Sequence, residues 1–281
     1  MVSVTISALG KPPAIAKKLP ITVELAGKTL ETATVKDVKN AITAKFPKFD
    51  ASRQKLSLRG DKKALLDEDS LAKVGVTPDE GELTVKDLGR QISWRTVFIV
   101  EYAGPLVIHP LFYYLPKLIY GDDVQHSLMQ KYAFALIMLH FLKREYETLF
   151  VHRFSKATMP FFNLFKNSGH YHILSGFLLA FSLYRPKYAS FSPVIRDSKR
   201  DQLSFLWFWT GVFISAELSN LKTHLTLRNL RPEGSRKRAI PFGYGFDLVS
   251  CPNYLFESIA WFAIGNMTGS LAGMSPTWFA T

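Results

Sequence analysis

The sequence predicts a small α+β domain followed by an all-α polytopic membrane domain. Three observations carry this. Residues 1–90 hold only two aromatics, Phe46 and Phe49, whereas all five Trp and all eleven Tyr lie beyond residue 90. The second part contains repeated apolar runs, several of them near the ~20 residues that cross a bilayer as a helix. The first part instead mixes period-2 and period-3.6 apolar patterns, as a soluble fold does. The boundaries read as 1–88 for the first domain, 89–95 for a linker and 96–281 for the membrane domain.

Taken in order, residues 2–7 and 20–26 alternate as two strands joined by a loop. Val35, Val38, Ile42 and Phe46 then recur three and four apart, which makes one apolar helix face, with Thr34 as its N-cap. Gln54–Arg59 alternates again through Leu56 and Leu58, and Glu82–Val85 closes the domain as a last strand. In the second part Trp94 and Arg95 suit an interfacial anchor. Apolar spans are expected at 96–115, 132–151, 169–184, 203–221 and 246–266, with a partial one at 267–281. Basic residues crowd three consecutive loops, 152–168, 185–201 and 222–245, so the positive-inside rule gives no clean topology.

The net charge is +12, of which +8 falls beyond residue 90, largely in loops between apolar segments. Such cations suit anionic phosphates or lipid headgroups, and no nucleic-acid motif accompanies them. The single cysteine, Cys251, excludes a disulfide framework and a cysteine zinc site, and no metal is expected. No long apolar segment opens the chain, so no cleaved signal peptide is expected. P-loop, HExxH, GxSxG and CxxC motifs are all absent from the sequence.

Chemistry concentrates in three places. In the second span, Lys143 and Glu147 are four apart and Arg144 and Glu147 three apart, so each pair meets on one helix face. This is either a self-neutralising cluster near the membrane surface or a cationic feature facing a cavity. Glu101, five residues into the first span, is a further buried-charge candidate, and His152 reads as interfacial. If 220–231 is helical, Asn220, His224, Arg228 and Arg231 form one stripe of amide, imidazole and guanidiniums, ended by Pro232-Glu233-Gly234. Guanidinium binds phosphate bidentately, so the stripe suits phosphate and ribose contacts; a juxtamembrane loop on anionic lipid is the plainer reading. Gly243-Tyr244-Gly245 is not a dinucleotide fingerprint, so a nucleotide would be held by side chains.

The third place is Ser250-Cys251-Pro252-Asn253-Tyr254-Leu255-Phe256-Glu257, a polar insertion within the apolar run 246–262. Polar groups there are costly unless they face a cavity or partner. Pro252 is expected to bend the segment. Asn253 and Glu257 share a face, and the Tyr254 phenol points to a neighbouring one. A phenol near cations has its anion favoured and makes a usable proton donor; a tyrosine filling a helix interface is the bland alternative.

The order strand–strand–helix–strand–strand in residues 1–88 resembles the ubiquitin-like β-grasp. Farther on, the combination of Glu147–Ser155 (ETLFVHRFS) with 158–167 (TMPFFNLFKN), 227–235 (LRNLRPEGS) and 249–257 (VSCPNYLFE) resembles the very-long-chain enoyl-CoA reductases of the endoplasmic reticulum. These belong to the steroid 5α-reductase superfamily. His224 stands where the steroid reductases carry an Asp, as it generally does in the enoyl reductases. The resemblance implies a multi-pass enzyme of that membrane that uses NADPH to reduce a very-long-chain trans-2-enoyl-CoA, alongside other fatty acid elongation enzymes. It implies Tyr254 as proton donor, Lys143 and Arg144 as assisting cations, and Asn220, Arg231 and Asn253 as nucleotide contacts. The family pattern continues into another span and a polar tail, whereas this sequence ends at Ser275–Thr281. A C-terminally short form is therefore expected, for which a non-catalytic partner of the elongation enzymes is the alternative. A sterol or polyprenol reductase is the other alternative within the superfamily.

Overall fold

The computed structural model describes residues 2–77, 81–154, 157–230 and 239–270. The chain divides into two compact units, 1–92 with 158–161, and 93–157 with 162–281.

The first unit is a four-stranded mixed sheet with a helix on it. Strand β1 (Val2–Ala8) pairs antiparallel with β2 (Ile21–Leu25), Val4 facing Val23. Helix α1 (Val35–Lys45) follows, then β3 (Gln54–Leu58) and β4 (Glu82–Asp87). β4 runs parallel to β1 and antiparallel to β3, giving the order β2-β1-β4-β3. The apolar periodicities are buried as they must be: Val4, Ile6, Val38, Ile42 and Leu83 have no exposed surface. A two-stranded sheet pairs β5 (Gln91–Ser93) with β6 (Thr158–Pro160), and the unit takes in β6 with Gln91 and Ile92 of β5.

α1 starts where a capping box forms. Asp37 N–H donates to Thr34 Oγ1 at 3.3 Å, and Thr34 N–H donates to Asp37 Oδ2 at 2.8 Å. The Lys28 ammonium, 2.6 Å from Asp37 Oδ2, and then the Thr34 N–H hold the Asp37 carboxyl below the usual carboxylate range. A lowered folded-state pKa contributes stability that is present above the unfolded value of about 3.9 and lost as pH falls through the folded one. Exchange protection of the α1 amides therefore declines below about pH 4 in the native chain. Asp37→Asn flattens that decline; an equally steep decline in the variant removes Asp37 as its cause.

The second unit is largely helical. It comprises α2 (Trp94–Tyr114), α3 (Pro116–Tyr120), α4 (Leu128–Tyr146), α5 (Asn163–His170), α6 (Leu179–Tyr184), α7 (Leu203–Asn229) and α8 (Pro252–Thr268). Tyr102, Phe141, Tyr184, Phe213, Trp261 and Ile264 are central to its core. Among the described residues, α2 alone is long and apolar enough to cross a membrane by length and composition. Gly104 lets α2 approach the following layer closely, because a Cβ there would sit 2.0 Å from the His172 ring. His172 Nε2 uses that approach to reach the Val100 carbonyl at 2.9 Å.

Three expected elements differ. The run expected from 169 is helical from Asn163, because a π-helical stretch over Tyr171–Leu178 joins α5 to α6. α7 runs eight residues past 221, taking Asn220, His224 and Arg228 onto one continuous helix. The helix expected from 246 begins at Pro252, with Pro252 at its first turn. There the missing N–H costs nothing, so Pro252 opens α8 rather than bending it. Arg231, the Pro232–Gly234 turn, Arg236–Arg238 and most of the expected last span lie outside the described residues.

Candidate active site

α4 presents His140, Lys143 and Arg144 to one side, at spacings of three and one. After Tyr146 the helix widens into a π turn over Glu147–Val151, closed by His152 N–H donating to the Glu147 carbonyl at 2.7 Å. The turn brings Glu147 and Thr148 inward, both without exposed surface. α7 faces them with Glu217, Asn220 and His224, at spacings of three and four, all buried.

These side chains form one ionic network. The Lys143 ammonium lies 2.9 Å from Glu217 Oε2 and 3.1 Å from Glu147 Oε1, and donates to Asn220 Oδ1 at 2.5 Å. Arg144 donates to Glu147 Oε2 at 3.0 Å and to the Tyr102 hydroxyl at 2.6 Å. His140 Nδ1 meets Glu217 Oε1 at 2.7 Å, and His224 Nδ1 meets Glu147 Oε1 at 3.0 Å. Two cations face two carboxylates, so with neutral imidazoles the buried group carries no net charge. Burial of ions is costly unless they are paired in this way.

The network reaches α8 through its backbone. Asn220 Nδ2 donates to the Asn253 carbonyl at 2.8 Å, and Glu257 Oε1 stands 4.0 Å from His140 Nε2. Of the residues singled out in the sequence, Lys143, Arg144, Glu147, Asn220 and His224 therefore meet directly, Asn253 joins through its carbonyl, and Glu257 borders them. Tyr254 is 48% exposed, and among the described residues nothing hydrogen-bonds its hydroxyl. Arg228 stands one helical turn beyond His224 and is partly exposed. Arg231 falls outside the described residues.

Three members were not legible as candidates: His140, Glu217 and Tyr102. The available signal was spacing. His140 precedes Lys143 by three and Arg144 by four, and Glu217 precedes Asn220 by three, so each extends a stripe already in view. His152, read as interfacial, sits with its ring 4.9 Å from that of His224. Glu147, His152 and His224 offer ligand atoms within 4.8 Å of one another. A metal cation fits them poorly, because Lys143 and Arg144 already neutralise Glu147 and would repel it.

Net positive charge lies elsewhere. Lys222 sits with Nζ 4.0 Å over the Tyr244 ring, and neither it nor Arg228 has a carboxylate partner among the described residues. The buried Arg144 Nε also lacks a hydrogen-bond partner.

The chain is similar to known proteins along most of its length. Residues 157–281 match the 3-oxo-5-alpha-steroid 4-dehydrogenase family, and residues 21–83 match the ubiquitin-like domain of TECR. A Schizosaccharomyces pombe protein bearing an enoyl reductase name is 52% identical over 75% of this chain and 69% of its own length. The very-long-chain enoyl-CoA reductase of Dictyostelium discoideum is 45% identical over 68% of this chain, and the match spans 60% of that relative. A Caenorhabditis elegans protein bearing the same enzyme name is 39% identical over 85% of this chain and 77% of its own length. A ubiquitin-like domain ahead of a largely helical steroid-dehydrogenase-type region defines the class, an oxidoreductase. Within that class, the chain belongs to the very-long-chain enoyl-CoA reductase family.

Proposed function

We propose that this chain reduces very-long-chain trans-2-enoyl-CoA to the saturated acyl-CoA with NADPH, as a multi-pass protein of the endoplasmic reticulum membrane. It works beside other fatty acid elongation enzymes, with a ubiquitin-like domain at 1–88, a linker at 89–95 and a catalytic domain at 96–281. The observation that carries the reading is the neutral buried network of Lys143, Arg144, Glu147 and Glu217, tied through Asn220 to the Cys251-Pro252-Asn253-Tyr254 segment. Family membership supports a nicotinamide cofactor and an acyl-CoA substrate.

The donor set fits a phosphorylated dinucleotide. Arg228 supplies charge for phosphates that Lys143 and Arg144, already neutralised, do not. Asn220, His224, Asn253 and Arg231 supply the remaining polar contacts. When bound, the cofactor provides a hydride for the β-carbon of the enoyl thioester. The protein's own part is then to hold the charge that develops on the thioester oxygen and to deliver a proton to the α-carbon. Lys143 and Arg144 do the first, since donors fixed in advance by Glu147, Glu217 and Tyr102 need no reorganisation as charge develops. Tyr254 does the second, its exposed hydroxyl being open to a ligand.

The test is NADPH oxidation by membranes carrying this chain, with a very-long trans-2-enoyl-CoA added. Oxidation that depends on both the enoyl-CoA and the chain is expected. Its absence with the intact chain present overturns the reading.

A further inference from the structure

An open groove of about 500 Å³ runs between α7 and α8. Its floor is a stripe of small α7 residues four apart, Gly211, Ser215 and Ser219, and its walls include Phe208 on α7 and Phe256 and Ile259 on α8. From Phe208 to Ser219 the helix axis advances about 16 Å. The groove is open along one side, and its small and apolar lining gives an extended alkyl chain a surface to lie against.

One end of the groove is polar. The Tyr244 ring stacks on Phe256 with centroids 5.6 Å apart, and its hydroxyl lies 2.7 Å from Ser219 Oγ. Lys222 covers the outer face of that ring. Asn220, the neighbour of Ser219, makes the bond to the Asn253 carbonyl at this same end. A molecule with an anionic head and a long apolar tail matches this polarity, its head at Lys222 and its tail running towards Phe208.

We propose that the α7–α8 groove takes the acyl tail of a long-chain acyl-CoA, its thioester lying at the Asn220–Asn253 end, and so sets chain-length selectivity. This rests on the reductase reading for the identity of the ligand. The groove's polarity is independent of that reading.

Gly211 is the place to test it. A Cβ built there meets nothing within 4 Å, so Gly211→Phe starts a bulky side chain at the groove floor with room for its first atom. Two experiments use membranes carrying the full chain. In the first, a long-chain acyl-CoA with a photoreactive group at the tail end is crosslinked. Adducts are expected on α7 between Phe208 and Ser219, suppressed by unlabelled long-chain acyl-CoA and by Gly211→Phe. Adducts elsewhere, or groove adducts that the competitor does not displace, overturn the proposal, the latter because a bilayer lipid then fills the space.

The second experiment measures kcat/KM for a very-long and a short trans-2-enoyl-CoA. Each methylene kept out of an apolar surface is worth about fourfold. Displacing two or three lowers the long-to-short ratio at least about tenfold in Gly211→Phe. Leu118→Phe, exposed on α3 and not among the residues that line the groove, keeps the native ratio. An unchanged ratio in Gly211→Phe overturns the proposal. The two readouts separate the claims. Competable groove labelling without enoyl turnover supports the groove and removes the reductase reading, whereas turnover without groove labelling does the reverse.

Discussion

Tyr254→Phe abolishes enoyl-CoA turnover while leaving the protein folded and able to bind NADPH. The substitution removes one oxygen. That oxygen belongs to a half-exposed ring and has no hydrogen-bond partner among the described residues, so the fold loses nothing that it was using. A change of this kind on a surface usually stays within about 0.5 kcal/mol. A positioned proton donor contributes roughly a hundredfold to ten-thousandfold in rate. The two magnitudes are far apart, which makes the result easy to interpret. Turnover should fall by at least about a hundredfold, with cofactor affinity and thermal inactivation unchanged. Near-native turnover in the variant would remove Tyr254 from the proton step.

Lys143→Met has a large effect of a different kind. Lys143 is shared by two buried carboxylates, Glu147 at 3.1 Å and Glu217 at 2.9 Å, and its removal leaves one negative charge of the network uncompensated. Breaking a buried pair by deleting one partner costs about 3–5 kcal/mol. Thermal inactivation of the variant in membranes therefore moves to markedly lower temperature, and turnover is lost as well. A companion variant separates the two effects. Glu217→Gln added to Lys143→Met restores neutrality, since Arg144 then balances Glu147. The double variant should regain much of the thermal stability and none of the turnover. If it regained both, the ammonium would be structural only, and its assignment to the developing charge would fail.

The first unit was legible because local physics decides it. Thr34 is followed by Asp37 and then by apolar residues three and four apart, and the result is a capped helix with Val38 and Ile42 buried. Charges in an apolar run, such as Lys143, Arg144 and Glu147, announce themselves through their cost. His140 and Glu217 did not, because a single polar residue in an apolar helix is ambiguous until its partner is known. The two are 77 positions apart in sequence. Pro252 misled for a related reason: its effect depends on whether it stands at the first turn or inside the helix, and only the true start of α8 decides that. The groove was invisible to periodicity, since Gly211, Ser215 and Ser219 read equally well as a helix-packing stripe.

The π turn at Glu147–Val151 has a genetic consequence. Such a turn behaves as one residue inserted into an α-helix. Deleting any one residue of that stretch would let α4 continue as an ordinary helix to its end. Everything downstream would then swing by about 100° around the axis, carrying His152 away from His224. Chain length within this five-residue window is thus under a constraint that side-chain identity does not reveal. A scan of single-codon deletions should find the window intolerant, while substitution of the outward-facing Leu149 and Phe150 is accepted.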